Sequence, residues 1–212
     1  MAAMAPARTI VLFGDSTTAR RGTVEPYADM LEQSLPADRI VNAGIGGNDT
    51  SHACERFVSD VLSCAPDVVV IQFGINDASV DLFLDPPAIG PRVELDEYET
   101  NLRFLTEELV QQSIRVFLMT PNPMRWTPFM HKHYAGPPYD HDSEDGFNII
   151  LRDYAQRVRE VAHDTAADLI DVWAAYDAHE DPVTLLLDGV HPNDVGQRLV
   201  ADLLLPHLKE IP

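Results

Sequence analysis

Lysine is almost absent from this 212-residue chain: Lys132 and Lys209 are the only two, and the remaining cations are arginines. Fifteen Lys and Arg side chains stand against 34 Asp and Glu, for a formal net charge of −19 at pH 7. Neutralising phosphates takes clustered cations, so this balance excludes a nucleic-acid binder and argues against docking on an anionic membrane surface. Cysteine is equally scarce. Cys54 and Cys64 make no disulfide framework, and their spacing along a predicted helix separates them by ~15 Å, too far to bridge. They read as buried thiols. No window approaches the ~20 apolar residues that a membrane span needs. The opening Met1–Arg8 has neither a basic stretch nor a long apolar run, so the expected location is cytoplasmic. What is present is 45% hydrophobic and 8% aromatic, enough to fill the core of a single domain spanning 1–212.

Short apolar runs alternate with longer stretches of helical period. Thr9–Phe13, Arg39–Val41, Asp67–Phe73, Ile114–Met119 and Asp168–Val172 read as strands. Val24–Leu35, Thr50–Ser63, Asp96–Gln112, Asn148–Ala166 and Asn193–Leu208 read as helices, with Asp96 as N-cap and Glu99 completing a capping box. Such alternation predicts an α/β fold: a three-layer α/β/α sandwich, flavodoxin-like, on a five-stranded parallel sheet of order 2-1-3-4-5. Two segments break the pattern: 81–93, rich in Pro and Asp, and an inserted loop at about 121–147.

In parallel sheets, ligands bind beyond the carboxyl ends of the strands. The unusual residues of this chain gather at those ends. The first strand runs into Gly14-Asp15-Ser16-Thr17, where Ser16 either caps a following helix or stands at the crevice floor as a nucleophile. Asp188 and His191, three apart before Pro192, suit a carboxylate that orients an imidazole, which in turn takes a proton from the serine. The plainer alternative is a surface turn with an incidental histidine. Acyl transfer also needs donors at the developing oxyanion. The Ser16 N–H, the bare backbone N–H of Gly47 and the Asn76 side chain could supply them, although glycine and asparagine after strands commonly mark turns.

Four blocks in order, Phe13-Gly-Asp-Ser16, Asn42-Ala-Gly-Ile-Gly-Gly47, Gly74-Ile-Asn76-Asp77 and Asp188-Gly-Val-His191-Pro192, resemble the SGNH hydrolases, also called GDSL esterases and lipases. The resemblance implies Ser16 as nucleophile, His191 as general base and then acid, and Asp188 as its orienting carboxylate. It further implies an oxyanion hole from Ser16, Gly47 and Asn76, with no cofactor. Two departures stand out. Thr17 occupies a position that is commonly Leu or Ile, and the second block is one residue longer before Thr50. The distance from Asn42 favours Gly47 over Gly46 as donor.

The insert carries Arg125, Trp126, Phe129, His131, His133, Tyr134 and His141. It starts on the catalytic rim, so its aromatics, Tyr139 included, and Arg125 could wall the acyl or alcohol pocket; the candidate pocket residues are Asp15, Trp126, Phe129 and Val190, and a lid or an oligomer contact is the reading for the insert. His131-x-His133 with Asp140 or His141 lacks a third ligand at compelling spacing, so no metal is expected. The expected partner is a small-molecule or glycan ester, with oligomeric state open. Within the family the expected activity is a small-molecule carboxylesterase or carbohydrate O-acetylesterase acting on short acyl groups. The competing readings are a lysophospholipase, a thioesterase, an acyltransferase, or a non-catalytic relative that binds acylated glycans.

Overall fold

The computed structural model describes residues 8–211; Met1–Ala7, the bulk of the segment read above for a leader, lie outside them. Its elements in chain order are β1 (Thr9–Gly14), α1 (Tyr27–Ser34), β2 (Arg39–Gly44), α2 (Thr50–Asp60), β3 (Val68–Gln72) and α3 (Leu95–Gln111). There follow β4 (Arg115–Met119), α4 (Pro128–Tyr134), α5 (Leu151–Asp164), β5 (Asp168–Ile170), α6 (Val172–Asp177) and α7 (Asp194–Glu210). All strand pairs are parallel and the order is β2-β1-β3-β4-β5, the flavodoxin-like arrangement that the alternation predicts.

Successive side chains of a strand point to opposite faces, so one buried run feeds two cores. Val11, Phe13, Val69, Ile71, Val116 and Leu118 face α2, α3 and α5. Ile10, Leu12, Val68, Val70, Phe117 and Met119 face α1, α6 and α7. This is why the central strands read as continuous apolar runs rather than as alternating ones.

Several boundaries differ from the sequence expectation, each for a local reason. Helix α1 begins at Tyr27 because Pro26 stays extended, with φ −70° and ψ 150°. Strand β2 runs on to Gly44, paired with Gly14. Strand β5 is short because Val172 already opens α6 under an Asp171 cap. The capping box at Asp96 is absent: α3 starts after Glu94 without a side-chain cap, and Glu99 bonds Arg103 and Arg157 instead. The insert is not wholly loop, since Thr127 caps α4 within it. Cys54 and Cys64 are unpaired and half-buried rather than fully enclosed.

The turn after β3 is fastened to α2 through a buried carboxyl. Asp77 Oδ1 accepts from the Thr50 N–H at 2.8 Å and from its hydroxyl at 2.6 Å, whereas Oδ2 is buried without a partner among the described residues. Burial pushes the Asp77 carboxyl up to about 7, against the opposing pull of those two hydrogen bonds. An acid whose folded pKa exceeds its unfolded value stabilises the fold fully below the unfolded value of 3.8 and loses that contribution as pH rises toward 7. Wild type should therefore lose stability relative to Asp77→Asn by about 1.4 kcal/mol per pH unit across this window. Urea unfolding at a series of pH values measures it; parallel profiles for the two proteins would refute the assignment.

Candidate active site

Gly14 is level with Gly44 and Gln72 across the sheet, so the turns leaving β1, β2 and β3 start at one height. The turn after β1 closes through the Ala19 N–H on the Asp15 carbonyl, at 3.0 Å. It is not a helix start, and Ser16 caps nothing. Under it, Asp15 is fully buried and its Oδ1 accepts from the Thr17 N–H at 2.8 Å. Burial raises the Asp15 carboxyl, and the bonds from Thr17 oppose this. The Thr17 hydroxyl, where the resembling family commonly has an aliphatic group, lies 2.8 Å from Asp15 Oδ1 and 2.9 Å from Gln72 Oε1. The departure from the motif thus replaces apolar packing with a polar tether from the turn to β3.

Above this turn, Ser16 Oγ lies 2.9 Å from His191 Nε2. His191 Nδ1 lies 2.9 Å from Asp188 Oδ2 and 3.0 Å from Oδ1. Asp188 Oδ1 also accepts from the backbone N–H groups of Val190 and His191, at 3.1 and 2.9 Å. Although partial burial works the other way, the hydrogen bonds from the His191 ring and these N–H groups hold Asp188 well below the usual carboxylate range. The three residues singled out in the sequence are therefore brought into one hydrogen-bonded row.

The loop carrying the row depends on Gly189. Its φ is +90°, and a side chain there would collide with the Arg125 carbonyl. The Arg125 N–H in turn donates to the Gly189 carbonyl at 2.7 Å, and Asn122 Nδ2 donates to the Val190 carbonyl at 2.9 Å. Both partners lie just past β4, so the start of the insert braces the histidine loop.

On the other side of Ser16, Gly47 has φ +80°, which a residue with a side chain adopts only under strain. The N–H groups of Ser16 and Gly47 make no hydrogen bond among the described residues. Asn76 Nδ2 gives one of its two hydrogens to the Asn48 carbonyl, at 2.9 Å. Asn42 locks the end of β2 to the serine turn, donating to the Thr18 carbonyl at 2.8 Å.

Beside the row lies a cavity of about 170 Å³ lined by Ser16, Ile75, Asn76, Ser79, Arg92, Met124, Met130, Tyr134, Tyr139, Phe147, Val190 and His191. Of the candidate pocket residues, only Val190 is among them. Asp15 lies beneath the turn. Trp126 stacks on His131 and on Phe147, at ring distances of 4.6 and 4.7 Å, and donates to the Ser143 carbonyl. Phe129 is exposed and tilts against His133. The insert does wall the cavity, but through Met124, Met130, Tyr134, Tyr139 and Phe147.

Sequence reasoning missed three arginines. Arg56 of α2 donates to the carbonyls of Ala43 and Gly14, at 2.8 and 2.9 Å, and stacks on Phe13. Arg92 reaches Asn76. Arg21 Nη2 donates to Asp188 Oδ2 at 3.0 Å, and its Nη1 lies 3.2 Å from His191 Nε2. A guanidinium only donates, so Nε2 accepts there, and the ring carries its proton on Nδ1 toward Asp188. No sequence spacing connects these arginines to the motifs; a side chain that must satisfy several carbonyls at a strand rim is visible only once the chain is folded.

Residues 12–199 match the GDSL-like lipase/acylhydrolase family. An acetylxylan esterase from Geobacillus stearothermophilus is 31% identical over 170 residues, covering 79% of this chain and 70% of that protein. The human isoamyl acetate-hydrolyzing esterase 1 homolog is 26% identical over 212 residues, covering 95% and 81%. The crystal structure of the acetyl xylan esterase AlAXEase superposes with a TM-score of 0.73 at 29% identity, covering 94% of this chain and 99% of the other. The chain belongs to the GDSL-like lipase/acylhydrolase family, the SGNH hydrolases, and is a carboxylic ester hydrolase.

Proposed function

We propose that the protein cleaves carboxylic esters with short acyl groups, acetate esters of small alcohols or of carbohydrates, through an acyl-enzyme on Ser16. The observation that carries this reading is the Ser16–His191–Asp188 row opening on a cavity of about 170 Å³. Ser16 Oγ attacks the ester carbonyl as its proton passes to His191 Nε2, while Asp188 keeps the ring oriented and stabilises the imidazolium. The Ser16 N–H, the Gly47 N–H and the remaining Asn76 N–H stabilise the oxyanion. Collapse of the tetrahedral adduct expels the alcohol, which takes the proton back from His191. Water then attacks the acyl-Ser16 ester by the same relay and releases the acid.

Size supports the short acyl chain. Pockets for drug-sized ligands run from about 300 to 1,000 Å³, so this cavity leaves room for an acetyl or slightly longer group against Met124, Met130 and Val190. Two of the named relatives carry acetate esters in their names, acetylxylan and isoamyl acetate. The net charge of −19 works against a phospholipid interface.

Two measurements test this. Across p-nitrophenyl esters from acetate to dodecanoate, together with acetylated xylooligosaccharides, kcat/KM should peak at acetate to butanoate and fall at least ~10-fold by octanoate. A maximum at long chains would overturn the substrate class. Ser16→Ala and His191→Ala should each lose a factor of order 10³ or more in kcat, and a fluorophosphonate should label wild type at Ser16. An unlabelled Ser16 in folded protein would favour a binding protein instead.

A further inference from the structure

The segment 81–93 interrupts the strand–helix alternation and contributes no member of the Ser16–His191–Asp188 row. It nevertheless returns to the rim. The Arg92 N–H donates to the Ser79 carbonyl at 3.0 Å and the Val93 N–H to the Asp77 carbonyl at 3.2 Å, which lays this stretch against the turn after β3. From there the Arg92 guanidinium grips Asp81 with two parallel bonds, Nε to Oδ2 and Nη2 to Oδ1, each 2.9 Å. Its third nitrogen, Nη1, donates to Asn76 Oδ1 at 3.3 Å.

This arrangement bears on a weakness of asparagine as an oxyanion donor. Its carbonyl and amino ends are almost the same size, so a half-turn of the amide would aim an acceptor at the oxyanion in place of a donor. Here the two ends meet partners that cannot exchange roles. Arg92 has only donors, and the Asn48 carbonyl, 2.9 Å from Nδ2, only accepts. A flipped amide would set N–H against guanidinium and C=O against C=O, two repulsive contacts in place of two hydrogen bonds. Asn48 alone leaves the amide held at one end. Arg92 holds the other, and the Asp81 fork fixes Arg92.

We propose that Arg92, anchored by Asp81, is a positioning residue that holds the Asn76 amide with its free N–H toward the oxyanion. The inference rests on Asn76 being an oxyanion donor, as proposed above. Arg92 also lines the cavity, so the test must separate action through Asn76 from contact with substrate. A double-mutant cycle does this. Asn76→Ala should lower kcat by about 10²–10³. Arg92→Met should lower kcat about 10-fold with KM changed less than about threefold, because an oxyanion donor acts in the transition state and not on the bound ester. In the Asn76→Ala background, Arg92→Met should change kcat less than about twofold, since nothing remains for it to orient. Asp81→Asn, which keeps the arginine but loosens its anchor, should show the same pattern with a smaller kcat loss; near-UV circular dichroism establishes that each variant is folded. Losses that multiply in the double variant, an effect confined to KM, or full kcat in folded Arg92→Met would each overturn the positioning role while leaving Asn76 as donor. Full kcat in Asn76→Ala would remove the donor assignment itself, and this inference with it.

Discussion

The parallel pairing of β1 with β2 on one side and β3 on the other sets the height of the turns that carry Ser16, Gly47 and Asn76. Gly14, Gly44 and Gln72 share one level, and each strand then leaves the sheet in its own turn. Gly44 lets the Ser16 turn lie against β2: a Cβ there would overlap the backbone of Thr18 and Ala19. A register slip of one residue would invert the faces of Val11, Phe13, Ile10 and Leu12 and misplace both cores along with Ser16. The hydrophobic pattern that stabilises the sheet is therefore the same pattern that aligns the chemistry.

The shortage of lysine takes on a local meaning at this rim. Arg56 bonds two backbone carbonyls and stacks on an aromatic ring. Arg92 spans a carboxylate and an amide oxygen, and Arg21 spans a carboxylate and an imidazole. Each task uses a planar fork with several donors, which an ammonium cannot reproduce in the same geometry. Asp188, Asp60 and Asp81 pair with Arg21, Arg56 and Arg92 respectively.

Much of this was legible in the chain. Fully buried strands announce themselves as apolar runs, and those runs match β1 and β3 nearly to the residue. The four blocks could be located because strand ends in a parallel sheet are where such residues have reason to sit. Less was legible where long-range contacts decide the outcome. Pro26 reads equally well inside a first turn or before it, and only the fold leaves it extended. Asp96 and Glu99 have capping-box spacing, but Arg103 and Arg157 offer Glu99 charged partners, which outweigh a cap. Trp126 looked like a pocket wall because it is large and follows β4; its rings of contact with His131 and Phe147 show it spent on holding the insert together. Of the actual walls in the same segment, Tyr134 and Tyr139 are among the aromatics read as pocket walls, whereas Met124, Met130 and Phe147 carried no signal that ranked them above their neighbours.

The seam between Arg125 and Gly189, joined by Asn122 at the Val190 carbonyl, makes one rigid piece of two regions that the sequence keeps far apart. The piece that walls the cavity is also the piece on which the imidazole rides. Anyone reshaping that cavity to admit bulkier esters would be tugging at His191 with the same stroke. Broader scope and undiminished turnover are thus mechanically opposed, and a redesign would fare better from the Ile75 and Ser79 side, which hangs from a different strand.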